Sequence, residues 1–222
     1  MSNTTDTYRL RLQDEDRARD YASRFERGPR RQIDQREQRA VKRIFSRLSD
    51  CRSVLDVPCG AGRFLANLAT GGREVIEMDQ AAEVLDFARE RAGKLGLRAR
   101  FVQGDAGKTG LADASVDAVF CNRLLHHITS APERAAFLRE FHRVTRCHLV
   151  VSFFDYRSFE TLRVVLKKLK GRKPEYSGQP TLAEFCEEVA HTGFRLKEIV
   201  PTGAFWVAEK YFVLEKDRTG AR

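Results

Sequence analysis

The sequence predicts an α/β fold: a single domain on a doubly wound sheet of seven strands, mostly parallel with an antiparallel edge strand, and helices on both faces. Three observations carry this. From Ser53 onward, short apolar runs alternate with amphipathic stretches of helical period, the pattern of βαβ units. The first apolar run ends in a Gly-x-Gly turn that opens a helix, a junction at which such sheets bind ligands. The length of 222 residues suits one domain with a large core and is too short for two of ordinary size.

Ser53 to Val57 reads as the first strand and Arg63 to Thr70 as the helix after it. Glu74 to Met78 is a second strand; Ala81 to Leu95 is a helix with Val84, Leu85, Ala88 and Ala92 on one face. Arg100 to Gln103 and Val116 to Cys121 are the third and fourth strands. A helix from about Pro132, with proline in its first turn, to Val144 precedes the fifth strand, His148 to Phe153. Thr181 to Thr192 is a further helix, in which Thr181 and Glu184 have the spacing of a capping box and Gly193 is a stop. Arg195 to Val200 and Trp206 to Glu215 close the sheet as an antiparallel pair.

Residues 1–50 differ. They are rich in Arg, Asp and Gln, with a helical stretch from about Gln32 to Leu48 whose stripe is Ile33, Val41, Ile44, Phe45 and Leu48. The chain therefore divides into an N-terminal helical, basic segment (1–50) and a ligand-binding domain (51–222) carrying a basic insertion at about 156–178.

Hydrophobic residues at 42% and charged residues at 32% exclude disorder along the whole chain. No apolar run spans a bilayer and no apolar signal core opens the sequence, so a cytoplasmic location is expected. The five cysteines (Cys51, Cys59, Cys121, Cys147, Cys186) never occur as C-x-x-C, which indicates neither a zinc site nor a disulfide framework. The net charge of +9 is concentrated: residues 1–50 hold 13 Lys/Arg against 9 Asp/Glu and residues 157–175 hold 7 against 2, while the rest balances.

The chemistry-bearing run is Val54-Leu55-Asp56-Val57-Pro58-Cys59-Gly60-Ala61-Gly62-Arg63-Phe64. Glycine is needed where the backbone turns tightly and approaches a ligand that a Cβ would obstruct. Asp79 closes the next strand, where a carboxylate can take both hydroxyls of a ribose, with Gln80 beside it. Gly104-Asp105-Ala106 follows the third strand, and Asp105 is placed to accept from an exocyclic adenine amine. Three ligand groups thus converge on the carboxyl edge of the sheet.

Asp56-Val57-Pro58-Cys59-Gly60-Ala61-Gly62 resembles the first motif of the class I S-adenosylmethionine (SAM)-dependent methyltransferases, which have a Rossmann-like fold. Asp79 matches their ribose acid and Gly104-Asp105-Ala106 their adenine acid. Leu125-His126-His127-Ile128 is similar to the run after the fourth strand in members acting on small molecules and quinones. The likeness covers about residues 50–155 well and 181–215 in outline. Pro58 and Glu77 stand where the family more often has glycine.

The resemblance implies SAM as cofactor, held by Asp56, Pro58, Cys59, Gly60, Ala61, Gly62, Arg63, Asp79, Gln80, Asp105 and Ala106. Asn122 and Arg123 would line its methionine end, Asn122 accepting from the amine and Arg123 pairing with the carboxylate or an anionic acceptor. A base is needed only if the acceptor must lose a proton; the candidates are His126, His127, Asp155 and Tyr156. No metal is expected.

Phe159, Leu162, Val165, Leu166 and Leu169 recur at helical spacing among Arg163, Lys167, Lys168, Lys170, Arg172 and Lys173. They predict a basic amphipathic helix that packs on the domain, covers the acceptor as a lid, or touches an anionic membrane through residues 157–175. The leading expectation is methyl transfer to a small-molecule or lipid-like acceptor. An RNA methyltransferase is a second reading, weakened because Cys121-Asn122-Arg123-Leu124 stands where amino-directed nucleobase enzymes carry an N-P-P-Y-type tetrapeptide. A catalytically silent partner protein is a third, opposed by the intact acids Asp56, Asp79 and Asp105. A dehydrogenase is disfavoured because the turn is G-x-G-R-F and not G-x-G-x-x-G. Tyr21 or Arg30 could reach the cofactor from the N-terminal segment. The sequence does not set the oligomeric state.

Overall fold

A computed structural model describes residues 25, 28–155, 179–204 and 207–217. The expected insertion helix, Tyr156, Tyr21 and Trp206 lie outside the described residues. The elements are α1 (Gly28–Arg47), β1 (Ser53–Asp56), α2 (Leu65–Leu68), β2 (Glu74–Asp79), α3 (Ala82–Leu95), β3 (Arg100–Gln103), β4 (Val116–Cys121), a 3-10 turn (Leu125–His127), α4 (Ala131–Val144), β5 (Thr145–Phe154), α5 (Leu182–Ala190), β6 (Phe194–Pro201) and β7 (Glu209–Lys216).

The seven strands form one sheet in the order β3-β2-β1-β4-β5-β7-β6. β1 to β5 are parallel, while β7 runs antiparallel to both β5 and β6. The antiparallel pair lies at this end of the sheet as predicted, with β7 inside and β6 outermost. The chain moves outward through β1, β2 and β3, then returns to the other side of β1 for β4. That reversal is the crevice at which open α/β sheets bind ligands.

Each face has its own core. On one, α1 delivers Val41, Ile44, Phe45 and Leu48 onto Val54, Phe64, Leu65, Phe120 and Tyr211. Phe120 is the hub, its ring centroid 6.0 Å from Phe45, 5.0 Å from Phe64 and 5.9 Å from Tyr211. On the other face, Phe137, Leu138 and Phe141 of α4 and Phe185 and Val189 of α5 meet Leu55, Val119, Leu149 and Phe212.

Local sequence sets most boundaries. Thr181 and Glu184 form the predicted reciprocal capping box at the start of α5, and Ser130 caps α4 by accepting from the Glu133 amide. α1 begins four residues before the predicted Gln32 because Pro29 is tolerated in a first turn, whose amides have no helical partner. α2 is shorter than the predicted Arg63–Thr70. Gly60 and Gly62 take φ of 56° and 66°, and Gly71 and Gly72 take 79° and 77°, so left-handed backbone bounds it on both sides. Cys51, Cys59 and Cys121 are buried and unbridged.

Candidate active site

The carboxyl ends of β1, β2 and β3 frame an open cleft of about 330 Å³ whose lining includes Pro58, Asp79, Gln80, Asp105, Ala106 and Phe137. Asp79 is fixed by backbone donors: its Oδ2 accepts from Gly60 N at 3.0 Å and its Oδ1 from Ala81 N at 3.1 Å. The turn and the acid thus hold each other. Burial raises its pKa against those hydrogen bonds. Asp105 Oδ1 accepts from Gly107 N at 2.7 Å, which orients the carboxylate.

The glycines answer a steric demand. A Cβ on Gly62 would stand 3.2 Å from both Cα and Cβ of Ala88 on α3, so the turn lies directly against that helix. The Val57–Pro58 bond is cis. Ala61 and Cys59 are buried within the turn.

Asp56 lies on the far side of the turn, 1% exposed, with neither carboxylate oxygen hydrogen-bonded within the protein. Burial, then the neighbouring Glu77, pushes its pKa well up, with Arg63 opposing. From here a buried polar strip runs along the sheet edge, above the core under α1.

Arg63 does not face an open cleft. Its Nη1 is 2.5 Å from Asp34 Oδ1 and 2.5 Å from Glu37 Oε2, both on α1, and its guanidinium lies 4.1 Å over the Phe25 ring. Arg123 is likewise committed. It donates from Nε and Nη2 to Glu37 Oε1 at 2.9 and 2.6 Å and from Nη2 to Glu209 Oε2 at 3.0 Å. Arg123 was expected to pair with the cofactor carboxylate or an anionic acceptor; in the structure its guanidinium is engaged by Glu37 and Glu209. Its φ of 56° is held by its amide donating to Ser152 Oγ at 2.7 Å. Asn122 Oδ1 accepts from the buried Tyr211 hydroxyl at 3.1 Å, so this acceptor is already engaged.

Glu37 and Glu209 share this cage unequally. Burial disfavours the Glu37 carboxylate, but Arg63, the Glu209 hydrogen bond and Arg123 together hold its pKa low. Burial and the Glu37 charge push Glu209 up to about 9, so Glu209 is the partner that keeps a proton at neutral pH.

The base candidates separate. His126 packs at a tilt against His127 (centroids 3.8 Å apart) and Phe154 (4.6 Å). Burial, then His127 and Arg123, drives its pKa down to about 3: the ring is neutral and weakly basic. Its carbonyl accepts from Gln179, and the next turn is tied by Arg134 Nη1 donating to Ile128 O at 2.7 Å. His127 is exposed. Asp155 is paired with Lys210 Nζ at 2.8 Å.

Sequence reasoning missed Glu37, Glu209, Asp34 and Tyr211. Two signals were present. Glu37 sits four residues from Ile33 and from Val41, an acid on the apolar stripe of α1. Glu209 is in strand phase with the buried Tyr211 and Val213.

Residues 54–148 match the family model described as a methyltransferase domain. A malonyl-[acyl-carrier protein] O-methyltransferase of Pectobacterium atrosepticum is 35% identical over 100 residues, 45% of this chain and 37% of that protein. A demethylmenaquinone methyltransferase of Deinococcus radiodurans is 42% identical over 72 residues, 32% of this chain and 30% of that protein. The matched region thus spans only about a third of these relatives' length. Among solved structures, magnesium protoporphyrin IX methyltransferase of Synechocystis PCC 6803 with bound S-adenosylhomocysteine has a TM-score of 0.75 at 18% identity, covering 97% of this chain and 100% of that one. That likeness is one of fold.

Proposed function

We propose that this chain belongs to the class I SAM-dependent methyltransferases, binds SAM along the carboxyl edge of its sheet and methylates a small-molecule or lipid-like acceptor. The carrying observation is the placement of three acids, one of them unpartnered, along that edge. Asp56 offers two buried, unpartnered oxygens to a cationic group, Gly62 lies too close to Ala88 of α3 to carry a Cβ, and Asp79 and Asp105 line one cleft as a ribose acid and an adenine acid would. Cys59, Ala61 and Gln80 complete the wall, and Asn122 closes the methionine end.

When bound, SAM supplies an electrophilic methyl group that leaves a neutral thioether behind. The chain's own residues align, desolvate and manage protons, and alignment with exclusion of water supplies several kcal/mol. Arg63 and Arg123 act through α1: by pairing with Glu37 they seat that helix against the site. The neutral His126 can accept a hydrogen bond but is a poor proton acceptor at pH 7, and Asp155 is neutralised by Lys210. This favours an acceptor atom that arrives ionised or carries no proton to lose. The names of the relatives, whose acceptors are an acyl-carrier protein's malonyl group and a quinone precursor, support the small-molecule class. Among the described residues no helix is long and apolar enough to cross a membrane; contact with an anionic surface through residues 157–175 remains part of the proposal.

Isothermal titration with SAM and with S-adenosylhomocysteine tests this. Micromolar binding by the wild type that collapses in Asp79→Ala is the expected result. Absence of binding by the wild type overturns it.

A further inference from the structure

Asp56 and Glu77 are register partners in the parallel β1–β2 ladder, on strands roughly 4.8 Å apart. Their exposures are 1% and 0%. No oxygen of either has a hydrogen-bond partner beyond the weak Cys59 thiol that lies against Glu77. The charged neighbours among the described residues are these. Asp79 closes β2, Cys59 sits in the turn above, Arg63 follows the turn, and Arg91 approaches from α3. Of the two cations, Arg63 is already paired with Asp34 and Glu37.

Two carboxyl groups buried on adjacent strands, with no cation between them, resist ionising together, so a proton is retained until a cation arrives. Burial first, with the Asp79 charge, pushes Glu77 up to about 8. The excess of buried acid beneath a ligand-binding turn is what a positively charged ligand would complete.

We propose that Asp56 and Glu77 form a buried carboxyl pair that holds one proton and releases it to solvent when the cationic methionine end of SAM occupies the turn, so that Glu77 couples cofactor affinity to pH and favours the sulfonium-bearing cofactor over its demethylated product. The inference rests on the SAM reading above. One carboxyl O–H bond breaks, the proton passes to buffer, and the new carboxylate pairs with the ligand's positive charge. SAM carries a sulfonium that the product lacks, so the product releases less of the proton and binds with a shallower pH dependence.

The test is calorimetric titration of the intact chain with SAM and with S-adenosylhomocysteine from pH 6.5 to 8.5, in phosphate and in Tris. The difference in apparent enthalpy between buffers counts protons released. The SAM amine titrates in the same range, so the comparison with Glu77→Gln, and with Glu77→Gly as a second variant, is the readout. For SAM the wild type should gain affinity by up to about tenfold per pH unit below pH 8, with a proton release that both variants lack. The variants should bind with a weaker pH dependence and a smaller preference for SAM over the product. Equal proton release and equal slopes in wild type and variants would overturn the proposal while leaving the SAM site intact, provided Asp79→Ala still abolishes binding. No SAM binding by the wild type would overturn both.

Discussion

Replacing Arg123 with methionine removes a cation that joins three distant parts of the chain. Its guanidinium donates twice to Glu37 on α1 and once to Glu209 at the start of β7. Removing one partner of a buried ion pair costs about 3–5 kcal/mol, because the remaining charge stays buried without its counterion. Two features place this case at the low end. The Arg123 side chain is 25% exposed, and Glu37 keeps Arg63 at 2.5 Å. A loss of about 3 kcal/mol follows, which for a chain of this size lowers Tm by about 6–12 °C. Methionine shares arginine's backbone preference at the left-handed φ of 56°, so the loss reports the ions and not the turn. Calorimetric unfolding of Arg123→Met, Glu37→Gln and the double variant at pH 7 gives the coupling, expected at about 1–3 kcal/mol. A Tm change below about 2 °C in Arg123→Met would refute the reasoning and assign the docking of α1 to its apolar stripe alone.

Two further variants probe the same edge. Glu209 is raised from 4.5 to about 9, so between those values the unfolded chain has lost a proton that the folded chain keeps. Stability therefore falls as pH rises across that window. Glu209→Gln, which can still donate to Glu37 and accept from Arg123, should flatten the slope in urea midpoints at pH 5, 7 and 9; a flat wild-type profile would contradict it. Gly62→Ala combines a φ of 66° with a Cβ 3.2 Å from Ala88, whereas Gly71→Ala at φ 79° meets open space. Both should lose about 1–2 kcal/mol of stability to left-handed strain, but only Gly62→Ala should weaken SAM binding, by about tenfold or more; equal affinities in the two variants would show that the turn does not need its close approach to α3.

The fold was legible because its determinants are local. The alternation from Ser53 onward, the Thr181–Glu184 box and the glycine pairs that bound α2 are each contained within a few residues. The turn and the acids after β1, β2 and β3 were legible for the same reason, since each closes a recognisable strand. The buried charge cage was not. Glu37, Arg123 and Glu209 are each 86 residues from the next, and no period or motif links residues that distant. The partner of Arg123 was sought in a ligand because a sequence does not reveal which acids share its burial. Glu77 was noted only as a departure from glycine. Its meaning depends on the ladder register that sets it beside Asp56.

The reversed direction of β7 has a consequence for synthesis. Because it runs against β5, its first residue, Glu209, arrives at the edge where the parallel strands end. A nascent chain that has emerged through β5 already possesses the glycine turn, Asp56, Asp79 and Asp105, yet β5 lacks its neighbour and Tyr211 has not reached Asn122. The cage around Glu37 closes only when the last described strand leaves the ribosome. Domains fold largely as units during translation, and here the late strand makes the finished edge a checkpoint: a molecule truncated before residue 209 carries every cofactor acid but leaves Arg123 with half of its anchor.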